Sequence, residues 1–144
     1  MQPKIYFKNL ILHANFRKEN DVQKGCLEII EYLFSVNIDK ETSFYFIELR
    51  KHVSEEINND DFITSVFYLT RQDIRILEQN FSAFNPILNN YEPINKDYVI
   101  EMLQNKSYYN PITGNDLTRE QFSQEIITYF NPTSEFIRKI KNHE

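Results

Sequence analysis

Residues 60–84, DDFITSVFYLTRQDIRILEQNFSAF, admit two backbone readings, and the choice between them sets the fold class of the whole chain. The first half reads as a helix: Phe62, Ile63, Val66 and Phe67 share one face at helical spacing, with Thr64 and Ser65 opposite. Asn58 and Asn59 supply a candidate N-cap. Asp60 and Asp61 place negative charge on the first turn, where the helix dipole favours it. Beyond Leu69 the readings part. Ile63, Phe67, Thr70, Ile74, Leu77, Phe81 and Phe84 recur at steps of four and three, which would make one long helix over 60–84 and an all-α bundle. Alternatively, residues 70–73 are a turn and an extended segment opens at Ile74, which gives an α+β fold. The second reading is the leading expectation, with helix dominant.

Elsewhere the punctuation is clearer. Residues 21–36 carry two neighbouring apolar rows at helical spacing, with Val22, Cys26, Ile29, Leu33 and Val36 inward. Residues 4–16 carry apolar side chains on both alternating faces, which predicts a strand. A short strand is expected at 43–46 and a helix at 47–57, with Leu49, Val53 and Ile57 inward. The stretch 85–95, NPILNNYEPIN, reads as loop, and Asn95 caps a helix over 96–105. Residues 108–114 read as a turn. Thr118-Arg-Glu-Gln121 has the capping-box pattern and opens a predicted helix through Phe130; Asn131-Pro132 then starts a last helix through Lys141. No internal repeat and no Ser/Gly linker appears, so residues 1–144 are expected to form a single domain.

Composition removes several function classes. Sixteen basic against 21 acidic residues give a net charge of −5, which disfavours non-specific nucleic-acid binding. The single cysteine excludes an internal disulfide, and its apolar helical row predicts a buried, inert thiol. The first 18 residues lack the apolar core and cleavage site of a signal peptide, and no apolar run reaches membrane-span length, so a cytoplasmic protein without membrane association is expected. His13, His52 and His143 have no metal-site spacing. Asn37, Asp39, Glu41, Ser43 and Glu48 fall at calcium-loop positions, but Thr42 stands where that loop needs glycine, so no metal and no cofactor are expected. With two glycines in the chain, phosphate-cradling loops are hard to build, and no nucleophile motif is present. Asparagine must then take left-handed turn positions, with Asn58-Asn59 and Asn89-Asn90 the candidates. The chain reads as a non-enzyme.

A helix at 21–36, a helix at 47–57, a turn, a third helix and a following hairpin, carried by IIEYLF, FIELRKHV and FITSVFYLTRQDIRILEQNF, resembles a winged helix-turn-helix domain. The resemblance covers roughly residues 22–86 and leaves a helical extension at about 95–144. It implies that the third helix presents Asn58, Asn59, Thr64 and Ser65 towards DNA bases, with Arg71 and Arg75 on the backbone. Asp60 and Asp61 would face phosphates there, so the resemblance fits a protein-contact winged helix better than a DNA reader.

Twelve Phe and nine Tyr are more than the inward rows hold. Tyr91, Tyr108 and Tyr109 sit beside turns, and tyrosine suits a wet interface because its ring buries area while its hydroxyl keeps a hydrogen bond. The expectation is a non-catalytic interaction module, an accessory or adaptor subunit of a bacterial or phage assembly, with those tyrosines as the partner surface. The partner is a protein, with a second copy of the chain among the options. The alternatives are a DNA-binding transcriptional regulator and an immunity-type inhibitor whose acidic charge masks a basic target.

Overall fold

The computed structural model describes residues 2–142. Seven helices and five short strands appear, so the fold is α+β and helix-dominated. The stretch 60–84 resolves as the second of its two readings: helix α4 spans Asn59–Tyr68, and strand β1 spans Leu77–Asn85. The single long helix, and the all-α bundle with it, are therefore excluded. Between the two, Arg75 takes a left-handed φ of 53°, and the carbonyl of Leu69 accepts from the N–H groups of both Ile76 and Leu77. That double bond closes the helix end and starts the strand. The chain divides into two compact units, one of Met1–Glu78 with Phe130–Glu144 and one of Gln79–Tyr129. The winged-helix-like span 22–86 crosses the first seam, at 78–79.

In the first unit, α1 (Pro3–Leu12) is a helix where alternation predicted a strand. Tyr6, Phe7, Leu10 and Ile11 also satisfy helical spacing, and burial of Phe7 and Ile11 in the main core decides between the periods. The amide of Gln23 donates to the carbonyls of Ile11 and Leu12, so a neighbouring helix satisfies the end of α1. Helix α2 (Val22–Ser35) buries Val22, Cys26, Ile29 and Leu33 of the predicted row, with Cys26 inaccessible, and ends before Val36, which is extended and half-buried. Helix α3 runs only over Phe46–Arg50, shorter than the predicted 47–57. The cause lies across the fold: Glu28 on α2 holds the backbone N–H and hydroxyl of Ser54, while Arg50 donates to the carbonyls of Ser54 and Ile57. These bonds satisfy the backbone in a turn, and Val53 and Ile57 reach the core from it. The strand expected at 43–46 reduces to one antiparallel bridge, Phe44 to Phe130.

In the second unit, β1 pairs antiparallel with β2 (Asn90–Ile94) in register Phe84 to Tyr91, making a hairpin of the predicted 85–95 loop. The sheet order is β2-β1-β5, with β5 at Ile126–Pro132. Helix α5 covers Lys96–Asn105 under the Asn95 cap, as the sequence indicates. The predicted 108–114 turn is present at 110–114, and strands β3 (Tyr108–Tyr109) and β4 (Asp116–Leu117) flank it as a two-stranded ribbon. Thr118 and Gln121 form a full capping box, but α6 ends at Glu125 rather than at Phe130. Residues 126–130, IITYF, are all β-branched or aromatic and join the sheet beside β1. Asn131 consequently does not cap; Thr133 caps the last helix, α7 (Ser134–Lys141), accepting from Phe136 N–H. Two cores result: the large one around Phe62, Val66, Phe130 and Phe136, and a smaller one of Ala83, Val99, Met102 and Ile126.

Helices α2 and α4 meet at Gly25 and Ser65. A methyl group added at Gly25 would overlap Ser65 Oγ, which itself donates within its crowded site between the carbonyls of Val22 (3.0 Å) and Asp61 (2.7 Å). Gly25→Ala is therefore expected to cost about 1–3 kcal/mol by overpacking, measurable by urea unfolding, with part of the loss recovered in Gly25→Ala/Ser65→Ala. Beside this contact, burial pushes the Cys26 thiol up from 9.0 to about 12. The unfolded thiol ionises first, so folded stability falls as pH rises above 9, by about 1.4 kcal/mol per pH unit from this group. Cys26→Ala should remove that part of the alkaline slope.

Candidate functional site

Each unit exposes several large apolar side chains, Ile47 in the first at 77%, but those of the Gln79–Tyr129 unit include the most exposed of the described residues, Ile87. At the tip of the β1–β2 hairpin, Ile87 is 91% and Leu88 59% exposed. Turn tips are ordinarily polar, since an apolar side chain there gains nothing from folding. This tip is nonetheless held in one shape. Asn85 Oδ1 accepts from the N–H of Ile87 (3.0 Å) and Leu88 (3.4 Å), its amide donates to Glu92 (3.2 Å), and Asn89 takes a left-handed φ of 53°. The left-handed asparagine expected at 89–90 is thus Asn89, whereas Asn58 is extended and serves as a cap.

One pair in from the turn, the ring of Tyr91 meets Phe84 edge-on at 5.3 Å between centroids, and its hydroxyl donates to the carbonyl of Gln124 (2.7 Å). These residues border an open cleft of about 400 Å³ with Pro86, Thr113 and Glu125. Tyr91 keeps an exposed ring edge. Tyr108 and Tyr109, paired with it in the sequence reading, are half-buried against the small core. Tyr108 packs on Phe122 at 4.8 Å and Tyr109 meets Tyr98 at 6.4 Å. Desolvation, with help from the Glu101 carboxylate, holds the Tyr109 hydroxyl above its ordinary pKa. The three tyrosines therefore share a unit but differ in exposure.

Sequence reasoning missed three further features. Helical spacing predicts Val99, Met102 and Leu103 inward, but α5 turns only Val99 and Met102 into the small core and leaves Leu103, with Ile100, open to solvent. The second strand of the hairpin, β2, is hidden in the sequence because 85–95 contains two prolines. The third feature is Asn110, fully buried: its amide donates to the Phe84 carbonyl and to Glu125 (both 2.9 Å), and its Oδ1 accepts from Ile112 and Thr113. One side chain so joins the 110–115 loop to β1 and to the end of α6.

The residues implied by the winged-helix resemblance lie in the first unit. Ser65 is fully buried against α2 and so cannot read a base, correcting its placement on an outer face. Asn58 accepts from Asp61 N–H (2.7 Å) to cap α4. Arg71 pairs with Asp73 (3.2 Å) and stacks over Tyr68, and Arg75 pairs with Glu135 (3.4 Å). Asn59 and Thr64 are exposed.

Among the described residues, no group of three His, Cys, Asp or Glu side chains is placed to hold a metal, and no helix is long and apolar enough to cross a membrane. Asp39 and Glu48 of the calcium-like spacing are taken up by bonds to Glu41 N–H and to Tyr32. His52 stacks on Tyr32 and His13 is exposed, while His143 lies outside the described residues. Comparison with protein-family models, with curated proteins and with solved structures finds no match to this chain.

Asn110→Ala should destabilise the chain by about 2 kcal/mol, since it orphans several backbone groups. Amide hydrogen exchange should show the loss within 79–129. Asn110→Asp sets a second carboxylate against Glu125, 2.9 Å from the present amide; ionising both opposes folding, so the stability of this variant should decline further as pH rises from 4 to 7.

Proposed function

We propose that the chain is a non-catalytic protein-interaction module, an accessory or adaptor subunit, which grips its partner with the β1–β2 hairpin. The observation that carries this reading is the pair Ile87 and Leu88, large apolar side chains in solvent on a tip whose backbone is fixed by Asn85. Apolar anchors on a preorganised turn bind at low entropic cost, because little freedom remains to be lost on docking. Tyr91 beside the turn adds an aromatic edge whose hydroxyl is already satisfied. The exposed flank of α5, Ile100 and Leu103, extends the apolar surface of the same unit. The partner is a protein with a recess that accepts two aliphatic side chains, and a second copy of this chain is within that class.

A winged-helix-like core is supported by the order α2, Phe44 bridge, α3, α4 and β1–β2 hairpin, in which the hairpin stands at the position of the wing. Burial of Ser65 and the pairing of Arg71 and Arg75 favour a protein-contact member of that class over a DNA reader.

The test compares wild type with Ile87→Ser/Leu88→Ser and with Tyr91→Ala. Sedimentation velocity reports self-association, and affinity capture from the native host reports other partners. The double substitution should weaken association by about 2 kcal/mol or more, roughly thirtyfold, with the melting temperature unchanged. Tyr91→Ala should cost both binding and some stability. Unchanged association in the double variant would remove the hairpin from the interface.

A further inference from the structure

A second surface, in the other unit, has the opposite character. Helix α7 sets Ser134, Arg138 and Lys141 at i, i+4 and i+7, on one stripe. Lys40, from a connection far away in sequence, closes the other side of a cleft of about 300 Å³ with Ile137 and Asn142. The turn bearing Lys40 is held in place. Asp39 accepts from Glu41 N–H (2.8 Å) and from the Thr42 hydroxyl (3.3 Å), and the Asn131 amide donates to the Thr42 carbonyl (2.9 Å). The Phe44–Phe130 bridge follows at once, so the turn and the start of α7 are anchored to the same strand end.

Cations in the last turn of α7 are favoured by the helix dipole, which accounts for Arg138 and Lys141 individually. It does not account for Lys40, which belongs to another element. Among the described residues, Lys4, Lys8, Lys24, Arg71 and Arg75 have carboxylate partners, but Lys40, Arg138 and Lys141 have none. Of the acids near them in sequence among the described residues, Glu135 pairs with Arg75, while Asp39, hydrogen-bonded within its own turn, and Glu41 are exposed beside Lys40. A chain of net charge −5 thus gathers around one concavity three cations that form no ion pair among the described residues. We infer that this cleft binds the phosphate group of a small phosphorylated molecule. An arginine fork suits two phosphate oxygens, the two ammonium groups supply point charges, and the Ser134 hydroxyl and Asn142 amide can donate to what remains.

The inference is tested on the full chain by calorimetric titration with pyrophosphate and with a sugar monophosphate at constant ionic strength. A saturable site with Kd tighter than about 1 mM is expected for at least one of them. Lys40→Ala and Arg138→Ala should each weaken it on the order of tenfold. Lys51→Ala, an equal charge change on an exposed residue outside the cleft, should leave it unaltered. Titration with a short DNA duplex separates a small-molecule site from a backbone-tracking surface. Equal weakening by all three substitutions, absence of saturation, or duplex binding that outcompetes both phosphates through these residues would overturn the assignment.

Discussion

The approach of α2 to α4 at Gly25 governs much of the first unit. Glycine inside a helix costs about 1 kcal/mol relative to alanine, and here the missing side chain lets Ser65 enter the α2 surface. Ser65 then finds two carbonyl acceptors, one on each helix, and its own carbonyl accepts from the Cys26 thiol. With α4 seated this closely, Phe62 and Val66 fill the core and Phe62 offers its ring to Arg50. The same seating sets where α4 stops. Leu69 collects the N–H groups of Ile76 and Leu77, and the carbonyl of Ile76 accepts from Thr133 N–H, so the α4 end, the start of β1 and the start of α7 are joined in sequence.

Asparagine performs much of the remaining organisation in a chain with two glycines. Asn58 and Asn95 cap helices, Asn89 occupies a left-handed turn position, Asn85 shapes the hairpin tip, Asn110 ties the small unit together and Asn131 anchors the Lys40 turn. The short amide side chain can donate and accept at once, which lets one residue satisfy backbone groups on two segments. Both surfaces singled out above, the hairpin tip and the cationic cleft, depend on such an asparagine for their shape. Neither lies on the face of α4 that the helix-turn-helix resemblance would have made the working surface.

What the sequence by itself determined was whatever closes within three or four residues. The Asn58 and Asn95 caps, the Thr118–Gln121 box, the inward positions Val22, Cys26, Ile29 and Leu33 of α2 and Val99 and Met102 of α5, and the acidic first turn of α4 are all local patterns, and the structure contains each of them. Tertiary structure decided the rest. Residues 4–16 satisfied two periods at once, and only the buried positions of Phe7 and Ile11 chose the helix. The 47–57 helix gave way to a turn because Glu28, 26 residues distant, holds Ser54. The helix from Thr118 yielded to a strand at Ile126, beside β1, and Ser65 passed from outer face to core through a bond to Val22, 43 residues away. The burial of Asn110 and the convergence of Lys40 on α7 likewise join distant segments. Local spacing fixes which groups a residue can satisfy in its own turn; which of two locally acceptable backbones prevails depends on burial and hydrogen bonds that form only when remote segments meet.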